Sequence, residues 1–202
     1  MKNSKTTFKE ISEIFQTIEE IASRNEITEI LASFYRELTS EEGEILSYLI
    51  LGRVAPFFVN SEFNYSEKSL ISLLEKYAKA KDIDIRVQQE GDRLGDIGDT
   101  VKLFSEKCGF VSKGISLFEA YDTLWGIVKT EGNGSVERKN SIILGALESF
   151  SPLEAKYFVR VICGQLRFGI SFKTLLDVFS FVVVGDKSLR LDLDRAYGIC
   201  AD

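Results

Sequence analysis

The residues best suited to hold an anion are concentrated between Glu131 and Asp177. Two segments there place glycines beside a cation: Gly132-Asn133-Gly134-Ser135-Val136-Glu137-Arg138-Lys139 and Gly164-Gln165-Leu166-Arg167-Phe168-Gly169-Ile170-Ser171. Each adjoins a predicted helix. A turn feeding a helix N-terminus presents backbone N–H groups that have no partner within the helix, and the helix dipole favours negative charge there. With Arg138, Lys139 or Arg167 beside it, such a turn can grip a phosphate. Ser135 is expected to cap its helix. Arg138 and Lys139 in the first turn then oppose the dipole at a cost of about 0.3–1 kcal/mol, an arrangement that an anion nearby would relieve. The local alternatives stay open: 132–139 as a solvated helix start, and Arg167 as the partner of an acid. Between 129 and 173 seven Lys/Arg face four Glu, a local basic excess in a chain of net charge −6.

A third glycine cluster, Gly91-Asp92-Arg93-Leu94-Gly95-Asp96-Ile97-Gly98-Asp99, is read as a loop before a helix. It lacks both the spacing and the preceding strand of a dinucleotide fingerprint, and the terminal Glu of a calcium loop. On local grounds it is a capped turn, with Asp96 or Asp99 at the helix start. Gly132–Lys139 is not a P-loop, because no Lys-Ser/Thr follows at the required spacing.

Much chemistry is excluded. The chain has no histidine, so histidine general bases and His-dependent triads are impossible. Its three cysteines, Cys108, Cys163 and Cys200, are scattered without a Cys-x-x-Cys pair, which argues against a zinc site and fits a reducing intracellular compartment. No apolar run approaches ~20 residues, so no membrane span is expected. Met1-Lys2-Asn3-Ser4-Lys5 precedes an amphipathic helix rather than a signal sequence.

The elements that must position these turns are helices. Phe8, Ile11, Phe15, Ile18 and Ala22 recur at helical spacing, as do Ile27, Ile30, Leu31, Phe34 and Leu38. Thr39 or Ser40 starts a third helix that stops at Gly52, and Pro56 forbids simple continuation. Ser66 starts a fourth, running through Leu70, Leu73, Leu74 and Tyr77. Further helices are predicted over 96–107, 116–130, 135–149, 152–163, 171–184 and 188–200, with Ser151-Pro152 a cap-plus-proline start. Val182-Val183-Val184 is read as buried helix, and Phe118, Tyr121, Trp125, Tyr157 and Phe158 as core. The fold class is all-α, a single domain over 1–202.

At an offset of 112 residues the third helix echoes the one at 152–163: Glu42 aligns with Glu154, Leu46 with Phe158, Ile50 with Ile162 and Gly52 with Gly164. Two readings remain: chance alignment of two amphipathic helices, or a pseudo-two-fold pair of helical lobes suited to a ligand with a two-fold symmetric backbone, such as duplex DNA.

Taken in order, several segments resemble the N-terminal DNA-binding domain of ATP-dependent DNA ligases of the archaeal and eukaryotic replicative type. They are Tyr48–Pro56, Gly95-Asp96-Ile97-Gly98-Asp99, Gly132-Asn133-Gly134-Ser135 with Arg138-Lys139, Glu154-Ala155-Lys156-Tyr157 leading into Gly164–Gly169, and Asp194–Asp202. The resemblance covers nearly the whole chain. It implies an all-helical domain that binds nicked or intact duplex DNA through the minor groove, without reading sequence, and holds it for the catalytic domains of the same ligase. The DNA-facing residues it implies are Gly95, Gly98, Gly132, Gly134, Ser135, Arg138, Lys139, Gly164, Arg167 and Gly169. Backbone contacts of this kind need a local patch rather than a basic domain, which answers the acidic net charge.

The family's adenylated lysine lies in Lys-x-Asp-Gly, which is absent. Lys81-Asp82-Ile83-Asp84 is the nearest echo. No catalytic residue and no cofactor are therefore expected in this chain, and ATP and Mg²⁺ are implied only for a full-length ligase. Some members carry a sliding-clamp peptide where this chain reads Lys107-Cys108-Gly109-Phe110-Val111-Ser112, and its motif is not evident here. An intracellular setting, the cytoplasm or nucleoid of a prokaryote, is expected. The rival from another class is a helical protein–protein scaffold whose acidic N-terminal helices would be the docking surface.

Overall fold

The computed structural model describes residues 6–166 and 168–199. Among these, eleven helices account for the regular structure: α1 (Phe8–Glu19), α2 (Arg24–Tyr35), α3 (Ser40–Ile50), α4 (Glu67–Ala80), α5 (Val87–Leu94), α6 (Ile97–Cys108), α7 (Leu117–Val128), α8 (Ser135–Leu147), α9 (Pro152–Ile162), α10 (Phe172–Val184) and α11 (Arg190–Ile199). No strand is present among the described residues. The all-α reading holds, and each predicted helix exists within a few residues of its expected ends. One helix is additional. Gly91 lies inside α5, so the segment read as a loop from Gly91 is helical as far as Leu94. Gly95 then ends the helix at φ +67°, a left-handed conformation that favours glycine.

The chain divides into two compact units. One comprises Met1–Ser12 with Glu62–Gln165, the other Glu13–Ser61 with Leu166–Asp202. In the first unit α6 packs along α9, and Phe8, Phe150 and Phe158 form a fully buried aromatic cluster with centroids 5.1–6.4 Å apart. Backbone bonds Phe8 N to Ile115 O and Leu117 N to Thr6 O, both 2.9 Å, tie the start of α1 to the start of α7. In the second unit α2 packs on α10. Tyr35 stands edge-on to Phe179 at 5.4 Å and shares a 2.9 Å hydrogen bond with Ser47 Oγ. An apolar cavity of about 670 Å³ lies beside α3, α10 and α11. No residue of α11 is buried.

Tyr157 and Phe158 are core, as expected. Phe118, Tyr121 and Trp125 are not. They are half-exposed on α7, whose buried face is Leu117, Ala120, Leu124, Ile127 and Val128. Lys129 Nζ lies 5.3 Å from the Trp125 ring centre. The valine run is helical but outward: Val183 and Val184 are exposed at the end of α10.

The echo at offset 112 extends to hydrogen bonding. Thr39 and Ser151 both form capping boxes, accepting from the N–H of Glu42 and Glu154 and donating backbone N–H to those carboxylates at 2.9 and 2.7 Å. Both helices end alike. Gly52 N bonds Leu49 O and Arg53 N bonds Tyr48 O; Gly164 N bonds Val161 O and Gln165 N bonds Arg160 O. This is the paired bonding of a Schellman end, and it needs the left-handed φ of +71° at Gly52 and +65° at Gly164. Each unit thus carries one copy of the same helix-and-turn.

Burial also sets an alkaline limit. The Cys108 thiol is pushed up from 9.0 to about 11, first by burial and then by the Glu148 charge. Burial and a 3.1 Å hydrogen bond to Glu148 raise the Tyr77 phenol to about 12. Both groups are neutral when protonated, and their folded values lie above their unfolded ones. Their stabilising contribution is therefore complete below pH 9.0 and declines as pH rises toward about 12. Urea midpoints should fall across that range, and Cys108→Ser should remove the part between pH 9.0 and about 11. A flat profile would contradict this account.

Candidate nucleic-acid interface

The turn before α8 is clamped by its own arginine. Gly134, at φ +71°, is the N-cap and no side chain caps the helix, so Ser135 is the first helical residue rather than the cap expected of it. Arg138 reaches back over the turn. Its Nη1 donates to Asn133 O at 2.8 Å and its Nη2 to Glu131 O at 2.7 Å. A guanidinium carries five N–H donors, so this bonding holds the group without exhausting it. Gly132, Gly134 and Arg138 are exposed and Ser135 is half-exposed. The result is a fixed positive charge beside a helix N-terminus open to solvent, the electrostatic arrangement that favours a phosphate.

Lys139 does not share this position. It is 3% exposed and its Nζ donates to Phe63 O at 2.6 Å. The one-residue step from Arg138 rotates it by about 100° around the helix and into the protein. Its ammonium closes the 61–65 connection onto α8, where Tyr65 Oη also donates to Asn140 Oδ1 at 2.5 Å. Lys139→Met should therefore lower unfolding stability by about 1–3 kcal/mol through the stranded carbonyl. Once folded, the variant should bind any DNA target as the parent does; a selective loss of DNA affinity at unchanged stability would refute this.

The glycine–aspartate motif is a packing device. Asp96 caps α6, accepting from Asp99 N at 2.9 Å. The same Oδ1 receives Arg160 Nε at 3.1 Å and Nη2 at 2.9 Å, and Arg160 is 2% exposed. Lys156 Nζ meets Asp99 Oδ1 at 2.9 Å. Gly98 is buried where the arginine passes. A Cβ there would lie 2.5 Å from Arg160 Nε and 2.8 Å from its Cγ and Cδ. The requirement for glycine at 98 is thus met by the α6–α9 contact, whereas Gly95 is exposed.

This pairing changes the charge count. Of the seven cations between 129 and 173, Lys139, Lys156 and Arg160 are buried, the last two against Asp96 and Asp99 from outside that window. Lys129, Arg138 and Lys173 are exposed. Arg167, the cation expected in the Gly164–Gly169 turn, lies outside the described residues. Gly164 and Gly169 on either side of it are exposed with left-handed φ. The structure therefore gathers Gly132, Gly134, Ser135 and Arg138 at one turn, and sets Gly95 and Gly98 with the ion-paired α6 start. Gly169 belongs to the other unit.

Two features escaped the sequence reading. Arg160 looked like one of several helix cations, although its apolar neighbours Tyr157, Val159 and Val161 were a sign that it is buried. Phe57 and Phe58 follow Pro56 on the turn after α3 and are 64% and 69% exposed. In the segment compared with a clamp peptide, Phe110 packs between Tyr77 and Phe104 with ring centres about 6 Å away. No helix among the described residues is long and apolar enough to cross a membrane.

ATP and Mg²⁺ do not fit the one segment that echoes an adenylation motif. Lys81, Asp82 and Asp84 are exposed just past the end of α4, with Lys81 Nζ 5.9 Å from the Tyr77 ring centre, so nothing there would desolvate a nucleotide. No step through either group follows from this chain.

Comparison with known proteins bears on what these turns serve. The family model for the DNA ligase N terminus matches residues 7–180. A probable DNA ligase of Dictyoglomus turgidum is 36% identical over 196 residues, which is 96% of this chain and 33% of that protein. DNA ligase 1 of Methanosarcina acetivorans is 30% identical over 196 residues, again 96% and 33%. A DNA ligase of Sulfurisphaera tokodaii is 32% identical over 205 residues, 96% of this chain and 34% of the relative. The chain spans about a third of the length of the curated relatives it matches.

Proposed function

Since the chain belongs to the DNA ligase N-terminus family, we propose that it holds duplex DNA, nicked or intact, through the minor groove without reading sequence, for catalytic domains of the same ligase. The observation that carries this reading is the open N-terminus of α8, with no side-chain cap and Arg138 fixed beside it. The matched turns at Gly52, half-buried, and Gly164, exposed, one in each unit, supply further backbone of one geometry, with Arg53 following the first. Contacts of this type recognise phosphate and groove shape and carry no base information. The role is to position the substrate. The lysine that would carry AMP, and hence the sealing chemistry, belongs to other parts of a ligase.

The test is an anisotropy titration of labelled nicked and intact duplexes of unrelated sequence. Contacts to four or five phosphates should give a slope of log affinity against log salt near −4. A minor-groove competitor such as netropsin should displace the protein, and a change of sequence should not. Absence of binding at low salt would refute the reading.

A further inference from the structure

We propose that Phe57 and Phe58 form an aromatic wedge that enters the DNA base stack beside the Gly52 turn. This rests on the DNA-binding reading above and adds a second kind of contact to it. Val59 N bonds Pro56 O at 3.0 Å, closing a four-residue turn with the two phenylalanines at its central positions. Their exposures of 64% and 69%, with Val59 at 37%, make a contiguous apolar tip on the surface. A patch of that kind normally marks a surface that meets a partner. The base of the turn is anchored, because Val54 and Ala55 are buried at 0% and 3%. Pro56 fixes its own φ, so the tip is presented by rigid backbone.

The neighbouring charge selects the partner. The Arg53 guanidinium lies over the Phe57 ring, 3.3 Å from its centre, and Arg53 Nε is buried with no hydrogen-bond partner among the described residues. An arginine stacked on a projecting phenylalanine brings positive charge and an apolar ring to the same point. That is the combination by which minor-groove proteins neutralise backbone phosphates while parting a base step. A protein partner would cover the ring equally well but would give the cation no array of phosphates to meet. The wedge also follows the turn that repeats, hydrogen bond for hydrogen bond, the one at Gly164. Gln165 stands there in place of Arg53, so one unit carries the aromatic device and its counterpart turn does not.

The test uses the whole chain with nicked and intact duplexes carrying 2-aminopurine, and with duplexes labelled at both ends for energy transfer. Saturating protein should raise 2-aminopurine fluorescence about two- to fivefold at one base step and shorten the end-to-end distance, as unstacking and kinking require. The Phe57→Ser/Phe58→Ser double variant should bind about tenfold more weakly and produce neither signal at saturation. The Phe57→Leu/Phe58→Leu variant, still apolar, should recover most of the bend. Because both side chains are exposed, urea midpoints should not move. A serine variant that binds and unstacks like the parent overturns the wedge, as does binding by the parent with no fluorescence change. Lower affinity with undiminished fluorescence at saturation makes the pair a surface contact and also overturns it. If the parent binds no DNA at all, the wedge and the DNA-binding reading fail together.

Discussion

Asp96→Ala should remove about 3–5 kcal/mol of stability from the unit containing Glu62–Gln165. Two losses combine. The first is the α6 N-cap, worth about 1 kcal/mol. The second is the acceptor for Arg160, whose side chain is 3% exposed. Asp99 remains, but it lies 3.6 Å away and is 39% exposed, a poor substitute for two bonds to one oxygen. Removing one member of a buried pair leaves the other charged and desolvated, which costs more than the pair contributed. Asp96→Asn keeps the cap and an acceptor and should cost less. Trp125, the only tryptophan, belongs to this unit, so its fluorescence in a urea titration reports the loss there. A change below about 1 kcal/mol in the alanine variant would show that the ion pair is not holding α6 to α9.

The second large effect is on binding. Arg138→Glu with Arg167→Glu should weaken duplex affinity about a hundredfold at moderate salt and flatten the salt slope by about 2. Folding should be spared at position 138. A carboxylate in the first turn of α8 suits the helix dipole, which offsets the lost bonds to Glu131 and Asn133. Affinity and stability therefore separate in this variant, whereas Lys139→Met should change stability alone. Unaltered affinity in the double reversal would remove the α8 turn from the DNA-binding face.

The helices and their starts were legible because amphipathic spacing and cap residues act locally. Thr39, Ser66, Asp96, Ser151 and Ser171 all cap where a short polar side chain precedes an apolar repeat. Ser135 failed as a cap because Gly134 takes the left-handed conformation one residue earlier. α5 was missed because Gly91 was read as a breaker, although glycine costs a helix only about 1 kcal/mol relative to alanine. The site was less legible because direction is a tertiary property. Arg138 and Lys139 are adjacent and alike in charge, yet one meets solvent and the other meets the Phe63 carbonyl. Gly98 belongs to the Gly-Asp-Ile-Gly segment expected to face DNA, but it lies against Arg160, an approach no local pattern records.

The division of the chain has a consequence for how it is made. Each unit combines an early segment with a late one, and the boundary between Ser12 and Glu13 falls inside α1. Phe8, on the near side of that boundary, packs on Phe150 and Phe158; Phe15, on the far side, packs on Phe168 at 4.9 Å. These aromatic contacts of α1 therefore form only once the chain has been made through residues 150–168. Neither unit can mature while the nascent polypeptide is short, and neither can be released intact by a single proteolytic cut. Sequence-distant partners of this kind slow folding, so newly made chains should pass through an interval in which Phe8 and Phe15 have yet to meet these rings and α1 is open to chaperone capture.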